Sequence, residues 1–151
     1  MRRDRYSRDS ATGCGLSVKV CVEARVISSA IMQNYRQLSV WRKAHALALN
    51  MHRITDAIPR KHNSGLIGQI RRAAGSIPAN IAEGCSRGSD ADFAKFIQVA
   101  IGSASELEYH IHFAVDAGLL AREEFEARHA EVVEVRRMLI GLLKKLRGAP
   151  S

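Results

Sequence analysis

From Tyr35 onward, apolar residues recur every three or four positions, and four such stretches follow one another with short breaks. In the first, Val40, Ala44, Leu47, Met51, Ile54 and Ile58 form a single stripe, which predicts a helix over about 39–58 with Ser39 at its N-cap. Pro59 stops it, and Arg60-Lys61-His62-Asn63 is expected to be a basic turn. In the second, Leu66, Ile70, Ala73, Ile77 and Ile81 face one way over about 65–83, while Arg71 and Arg72 fall outside the stripe. Pro78 lies inside this pattern. It removes a backbone donor and crowds the carbonyl of Ala74, but Ala74 and Gly75 leave room, so a kink is expected rather than a stop. A break with Ser76 recapping a second segment is the alternative.

Gly84-Cys85-Ser86-Arg87-Gly88 reads as a turn, and Ser89 with Asp92 three residues later reads as a capping-box-like start. In the third stretch, about 89–117, Phe93, Ile97, Ala100, Ala104, Leu107, Ile111, Ala114 and Gly118 alternate steps of four and three, a heptad seam. Gly102-Ser103-Ala104-Ser105 is small on all sides and admits close helix approach. The fourth stretch, about 121–147, carries Phe125, Val132, Val135, Leu139, Leu142 and Leu146 inward. Its acidic start and basic end match the helix dipole. Four helices with short connections predict an all-α, up-down-up-down antiparallel four-helix bundle over 35–147, followed by a flexible tail at 148–151. The third helix offers more small-residue surface than one seam uses, which points to assembly into a homo-oligomer, with a monomer packed closely at its centre as the alternative.

Residues 1–34 break the pattern. Leu16, Val18, Val20, Val22, Ala24 and Val26 alternate with polar or smaller residues at a period of two, as a half-buried strand does. A lone strand gains little in a helical chain. This segment is either a flexible or pairing extension, or a mis-assigned start with Met32 as the true first residue.

Charge adds a direction to this picture. The net charge is +8, but residues 35–90 carry nine Lys/Arg against three Asp/Glu, while 91–151 carry eight against nine. The positive field therefore belongs to the first half of the bundle and favours polyanions. A solvated basic face with no partner is the competing reading. The three cysteines form no CxxC pair, which fits a reducing compartment, and no run of about 18 apolar residues offers a membrane span. A cytoplasmic protein is expected.

Candidate chemistry is sparse. Gly84-x-Ser86-x-Gly88 matches a nucleophile elbow in letters, but that elbow needs a strand before it, and here a helix precedes. Six histidines raise a metal site; Glu106-x-x-Tyr109 fails the Glu-x-x-His pattern of di-metal bundles, so neither metal nor cofactor is expected. The candidate functional surface is cationic: Arg42, Lys43, Arg60, Lys61, Arg71, Arg72 and Arg87. In the rival reading these arginines meet Glu83, Glu106 or Glu108 across helices or subunits, and Pro78, Asn80, Glu83, Gly102, Ser103 and Glu106 serve structure or an oligomer interface.

Val40-Trp41-Arg42-Lys43-Ala44-His45, the run from Gln69 to Gly84 with its RRAA-SI-NIAEG core, and the GS-x-x-EL segment from Gly102 to Leu107 resemble one family. The chain is similar to the four-helix-bundle proteins encoded in intervening sequences of bacterial 23S ribosomal RNA genes, and to the accessory variability proteins of diversity-generating retroelements. The resemblance covers about 35–147. It implies a four-helix protomer, a ring-like homopentamer and no enzymatic activity. In the retroelement branch it further implies a basic surface that binds RNA or DNA and a reverse transcriptase as partner.

Overall fold

The computed structural model describes residues 34–148. The alternating stretch 16–26, the Met32 start and the end of the tail at 149–151 lie outside the described residues. A 3-10 turn, Tyr35–Gln37, leads into four helices: α1 (Ser39–Asp56), α2 (Arg60–Cys85), α3 (Asp90–Asp116) and α4 (Arg122–Gly148). Each helix packs on the next, and α1 closes the bundle against α4. The four-helix bundle expected from the sequence is the observed fold, and no strand occurs among the described residues.

The heptad seam of α3 is the centre. Ile97, Ala100, Ala104, Leu107, Ile111 and Ala114 are all fully buried, and Phe93 nearly so. Around them stand Leu47 and Met51 of α1, Ile70, Ile77 and Ile81 of α2, and Val132, Val135 and Leu139 of α4. Truncating one of the large members to alanine costs about 2–5 kcal/mol through lost transfer energy and the cavity left behind. One hydroxyl pair crosses this centre. Ser76 Oγ on α2 and Ser103 Oγ on α3 stand 2.9 Å apart, and Ser103 also donates to Val99 O at 3.0 Å. Asn80 donates to both Ser76 O and Ser76 Oγ. These polar groups are buried or half-buried and mutually satisfied, which fixes the register of α2 on α3.

Several helix ends differ from the sequence reading. α2 begins at Arg60, so Arg60-Lys61-His62-Asn63 is its first turn and not a separate basic turn. Pro59 occupies the cap position, where a missing N–H costs nothing, and Asn63 donates to Pro59 O at 2.9 Å. The turn is solvent-exposed and polar, so it carries no apolar signal of its own. Ser39 is not the N-cap of α1: Leu38 is, without a side-chain cap bond, because the preceding 3-10 turn, capped by Asn34, already sets the chain direction. The helix does not break at Ser76. It runs through Pro78, which is buried.

Two ends match the sequence reading. Ser89 Oγ accepts from the Asp92 N–H at 3.1 Å, although its hydroxyl donates to Asp92 Oδ2 at 2.9 Å instead of the carboxylate reaching back to the backbone. Gly118, at φ 71°, closes α3. Leu119 N–H bonds Ala114 O and Gly118 N–H bonds Val115 O, the paired bonds of a Schellman motif that left-handed glycine permits.

Candidate nucleic-acid interface

α1 and α2 are adjacent helices, and together they make one face of the bundle. From Asn34 to Cys85 the 3-10 turn and these two helices hold the cations Arg36, Arg42, Lys43, Arg53, Arg60, Lys61, Arg71 and Arg72 against two carboxylates, Asp56 and Glu83. The structure distributes the seven predicted cations rather than gathering them. Arg42 and Lys43 stand at the start of α1, level with Arg87 in the α2–α3 turn. Arg60 and Lys61 open α2 at the opposite end, with Arg71 and Arg72 nearer the middle.

Most are already engaged. Arg42 Nη1 donates to the carbonyls of Arg36 and Gln37 at 3.3 and 3.2 Å, pinning the 3-10 turn. Lys43 meets Glu134 of α4 at 2.5 Å. Arg60 sits 3.4 Å from Asp56, an exposed and weak pair. Arg87 pairs with Glu83, and its guanidinium lies over the Phe96 ring at 4.7 Å. Arg72 bonds Gln69 and is otherwise exposed. Lys61 is exposed and makes no ion pair among the described residues.

Arg71 departs from the expectation that it points away from the packed side. It is half-buried on the α1 seam: Nε donates to Thr55 Oγ1 at 2.8 Å, and Nη2 donates to Asp56 Oδ1 at 2.6 Å and to His52 O at 3.3 Å. The Arg71 hydrogen bond, with Arg60 assisting, holds the Asp56 carboxyl below the usual carboxylate range. Arg71 therefore ties α2 to the end of α1. Of the rival partners, Glu83 takes Arg87, Glu106 faces His110 at 3.6 Å, and Glu108 takes His129 at 2.9 Å together with Arg136. None of the three meets Arg71 or Arg72.

The residues assigned to structure or an oligomer interface also divide. Pro78, Asn80 and Ser103 act inside the protomer, as described. Gly102 and Glu106 are exposed on the outer side of α3, and a Cβ added at Gly102 meets nothing within 4 Å, so no helix of the same protomer approaches there. Val99, Gly102, Glu106, Tyr109 and Phe113 repeat at steps of three and four on this outer side, and Val99, Tyr109 and Phe113 are 53%, 62% and 49% exposed. The apolar seam of α3 hid this second seam in the sequence, because both share one period on opposite sides of one helix.

A ring cluster was also missed. Tyr35 and Trp41 have centroids 4.9 Å apart, and Trp41 and His45 stack at 4.9 Å with 8° between planes. Its signal was the i, i+4 spacing of Trp41 and His45 beside arginines. As for the remaining chemistry, Ser86 Oγ donates to Glu83 O at 2.7 Å and so finishes α2, and Cys85 is buried. No group of three metal-ligating side chains comes together among the described residues.

Comparison with known proteins gives a consistent likeness. No curated protein matches the chain. A crystal structure from Bacteroides thetaiotaomicron VPI-5482, described as a protein with unknown function from the S23 ribosomal protein family, aligns with a TM-score of 0.65 and 26% identity. The alignment covers 70% of this chain and 95% of that one. The family model of the 23S rRNA-intervening sequence protein matches residues 36–141, so the chain belongs to that family.

Proposed function

We propose that the protein is a non-enzymatic, homo-oligomeric bundle that binds RNA or DNA through the face made by α1 and α2. One observation carries this reading: the 3-10 turn and the two adjacent helices, from Asn34 to Cys85, hold eight cations against two carboxylates, Asp56 and Glu83. Both carboxylates are already engaged, Asp56 by Arg71 and Arg60 and Glu83 by Arg87. A face of that composition attracts phosphates and releases their counterions. Phosphate contacts position without reading sequence, so the reading is one of backbone binding.

Assembly is supported by the outer seam of α3. Exposed Val99, Tyr109 and Phe113 at heptad steps are the kind of surface that a second copy covers. The family resemblance extends the reading to a ring-like pentamer and to a reverse transcriptase as partner. Native mass measurement tests the first, and co-purification with that enzyme tests the second.

A second reading has its own support. Arg42, Lys43, Arg71 and Arg87 are each engaged within the protomer, as a purely structural module would have them. One experiment separates the two. Binding to a fluorescent single strand is measured against salt for wild type and for the Lys61→Glu/Arg72→Glu variant, with mass measured alongside. Nucleic-acid binding predicts a steep salt dependence that the variant weakens at unchanged oligomer mass. Absence of binding at low salt would leave the structural module. Tyr109→Glu/Phe113→Glu is expected to release protomers that stay helical; a wild-type mass equal to one protomer ends the oligomer reading.

A further inference from the structure

The ring cluster at the start of α1 carries an inference that rests on the nucleic-acid reading above. Trp41 and His45 lie one helical turn apart with their planes 8° from parallel. Tyr35, tilted 60° and 4.9 Å away, also packs against Trp41. Trp41 thus has two ring neighbours, and His45 has one. His45 is exposed, and among the described residues it makes no hydrogen bond, no ion pair and no third ring contact. One turn further on, Leu49 is 45% exposed and provides an apolar edge.

The electrostatic surroundings select the occupant. No Asp or Glu occurs from Asn34 to Thr55, and Arg36 and Arg42 are chain neighbours of the rings, while Lys43, on the other flank of α1, is taken by Glu134 of α4. The Arg36 guanidinium stands 5.7 Å from the Tyr35 ring centroid. Arg42 spends Nη1 on two backbone carbonyls, and its Nε and Nη2 groups make no hydrogen bond among the described residues. Planar rings with cations around them suit a base that stacks while its phosphates meet the guanidinium groups. A duplex keeps its bases stacked inside and cannot supply such a ring.

We propose that the Tyr35–Trp41–His45 column is a stacking platform for an unpaired base, which makes single-stranded nucleic acid the preferred ligand of this face.

Trp41 is the only tryptophan in the chain, so its emission reports directly on the platform. The protein is titrated with a short oligodeoxythymidine strand, with an abasic strand of equal length and with a duplex. The base-bearing strand is expected to quench Trp41 and to bind roughly tenfold more tightly than the abasic strand. His45→Ala is expected to erase that difference, and His45→Tyr to keep it. The exposed position leaves the fold intact, which helix content on melting checks. If base-bearing and abasic strands bind alike, or His45→Ala leaves the difference in place, the platform is wrong while the phosphate-binding face stands. If no strand binds at low salt, both fall.

Discussion

Arg71 Nε donates to Thr55 Oγ1 at 2.8 Å, and that contact separates two arginines that are neighbours in the chain. Thr55 is fully buried, and its hydroxyl hydrogen already serves Met51 O at 2.7 Å or His52 O at 3.0 Å. The hydroxyl can therefore accept from Arg71 while donating to its own helix. One residue on, Arg72 is rotated about 100° around the helix and stands in solvent with only Gln69 beside it. Charge and sequence position make the two equivalent; packing makes one a tie between helices and leaves the other available.

Arg71→Ala should therefore lower the unfolding free energy by about 1–3 kcal/mol, because the buried Thr55 hydroxyl loses a donor that is hard to replace. Arg72→Ala should stay within about 0.5 kcal/mol of wild type. Urea unfolding of both variants checks this. Equal effects would mean that the Arg71 contacts contribute nothing that solvent does not.

The glycines of α2 should respond in opposite directions. A Cβ at Gly84 would come 2.5 Å from Phe93 Cδ2 and 2.9 Å from Phe96 Cβ, where α2 and α3 converge above their tight turn. Gly84→Ala should cost about 1–3 kcal/mol by forcing the Phe93 side of α3 away. At Gly75 an added Cβ meets nothing within 4 Å, so Gly75→Ala should stabilise the helix by about 0.5–1 kcal/mol. Thermal melts of the two variants give the comparison.

The heptad of α3, the capping serine at Ser89 and the terminating Gly118 were legible because each is a local rule: periodicity, a side-chain acceptor, a left-handed turn. The start of α2 was not legible. Its first turn is exposed and polar, so no buried face marks it, and Pro59 reads equally as a stop or as a start. The fate of the cations was legible only in part. Sequence places nine Lys/Arg between residues 35 and 90 but cannot say that Arg71 turns onto α1, since that depends on the level of Thr55 and Asp56 across the seam. The exposed seam of Val99, Tyr109 and Phe113 shares the helical period of the core, and only burial tells the two apart.

Asp56 should shape the acid limb of stability. Its carboxyl is held low by the Arg71 hydrogen bond above all, so the folded state prefers the charged form. Stability from this group is fully present above the ordinary carboxylate value of about 3.9 and is lost as pH falls through the lower folded value. Asp56→Asn should be less stable than wild type at neutral pH and should approach it as the solution is acidified below about pH 4. Unfolding curves taken across that range test the convergence; a constant gap between the two proteins would assign the effect to packing.

Cys85 should act at the alkaline end. Burial at the foot of α2 pushes its thiol up to about 11, because the thiolate would lose its water. With a folded value raised above the unfolded one, the contribution is fully present below about 8.5, the ordinary thiol value, and is lost as pH rises toward the folded value. Two consequences are measurable. At neutral pH, iodoacetamide should modify Cys85 far more slowly in the native protein than in urea, as read by peptide mass, because the nucleophile is the thiolate. Cys85→Ala should lose less stability than wild type between about 8.5 and about 11, since one ionising group has been removed. Native labelling at the urea rate would mean that the end of α2 opens freely, and equal alkaline slopes would remove the thiol from the alkaline balance.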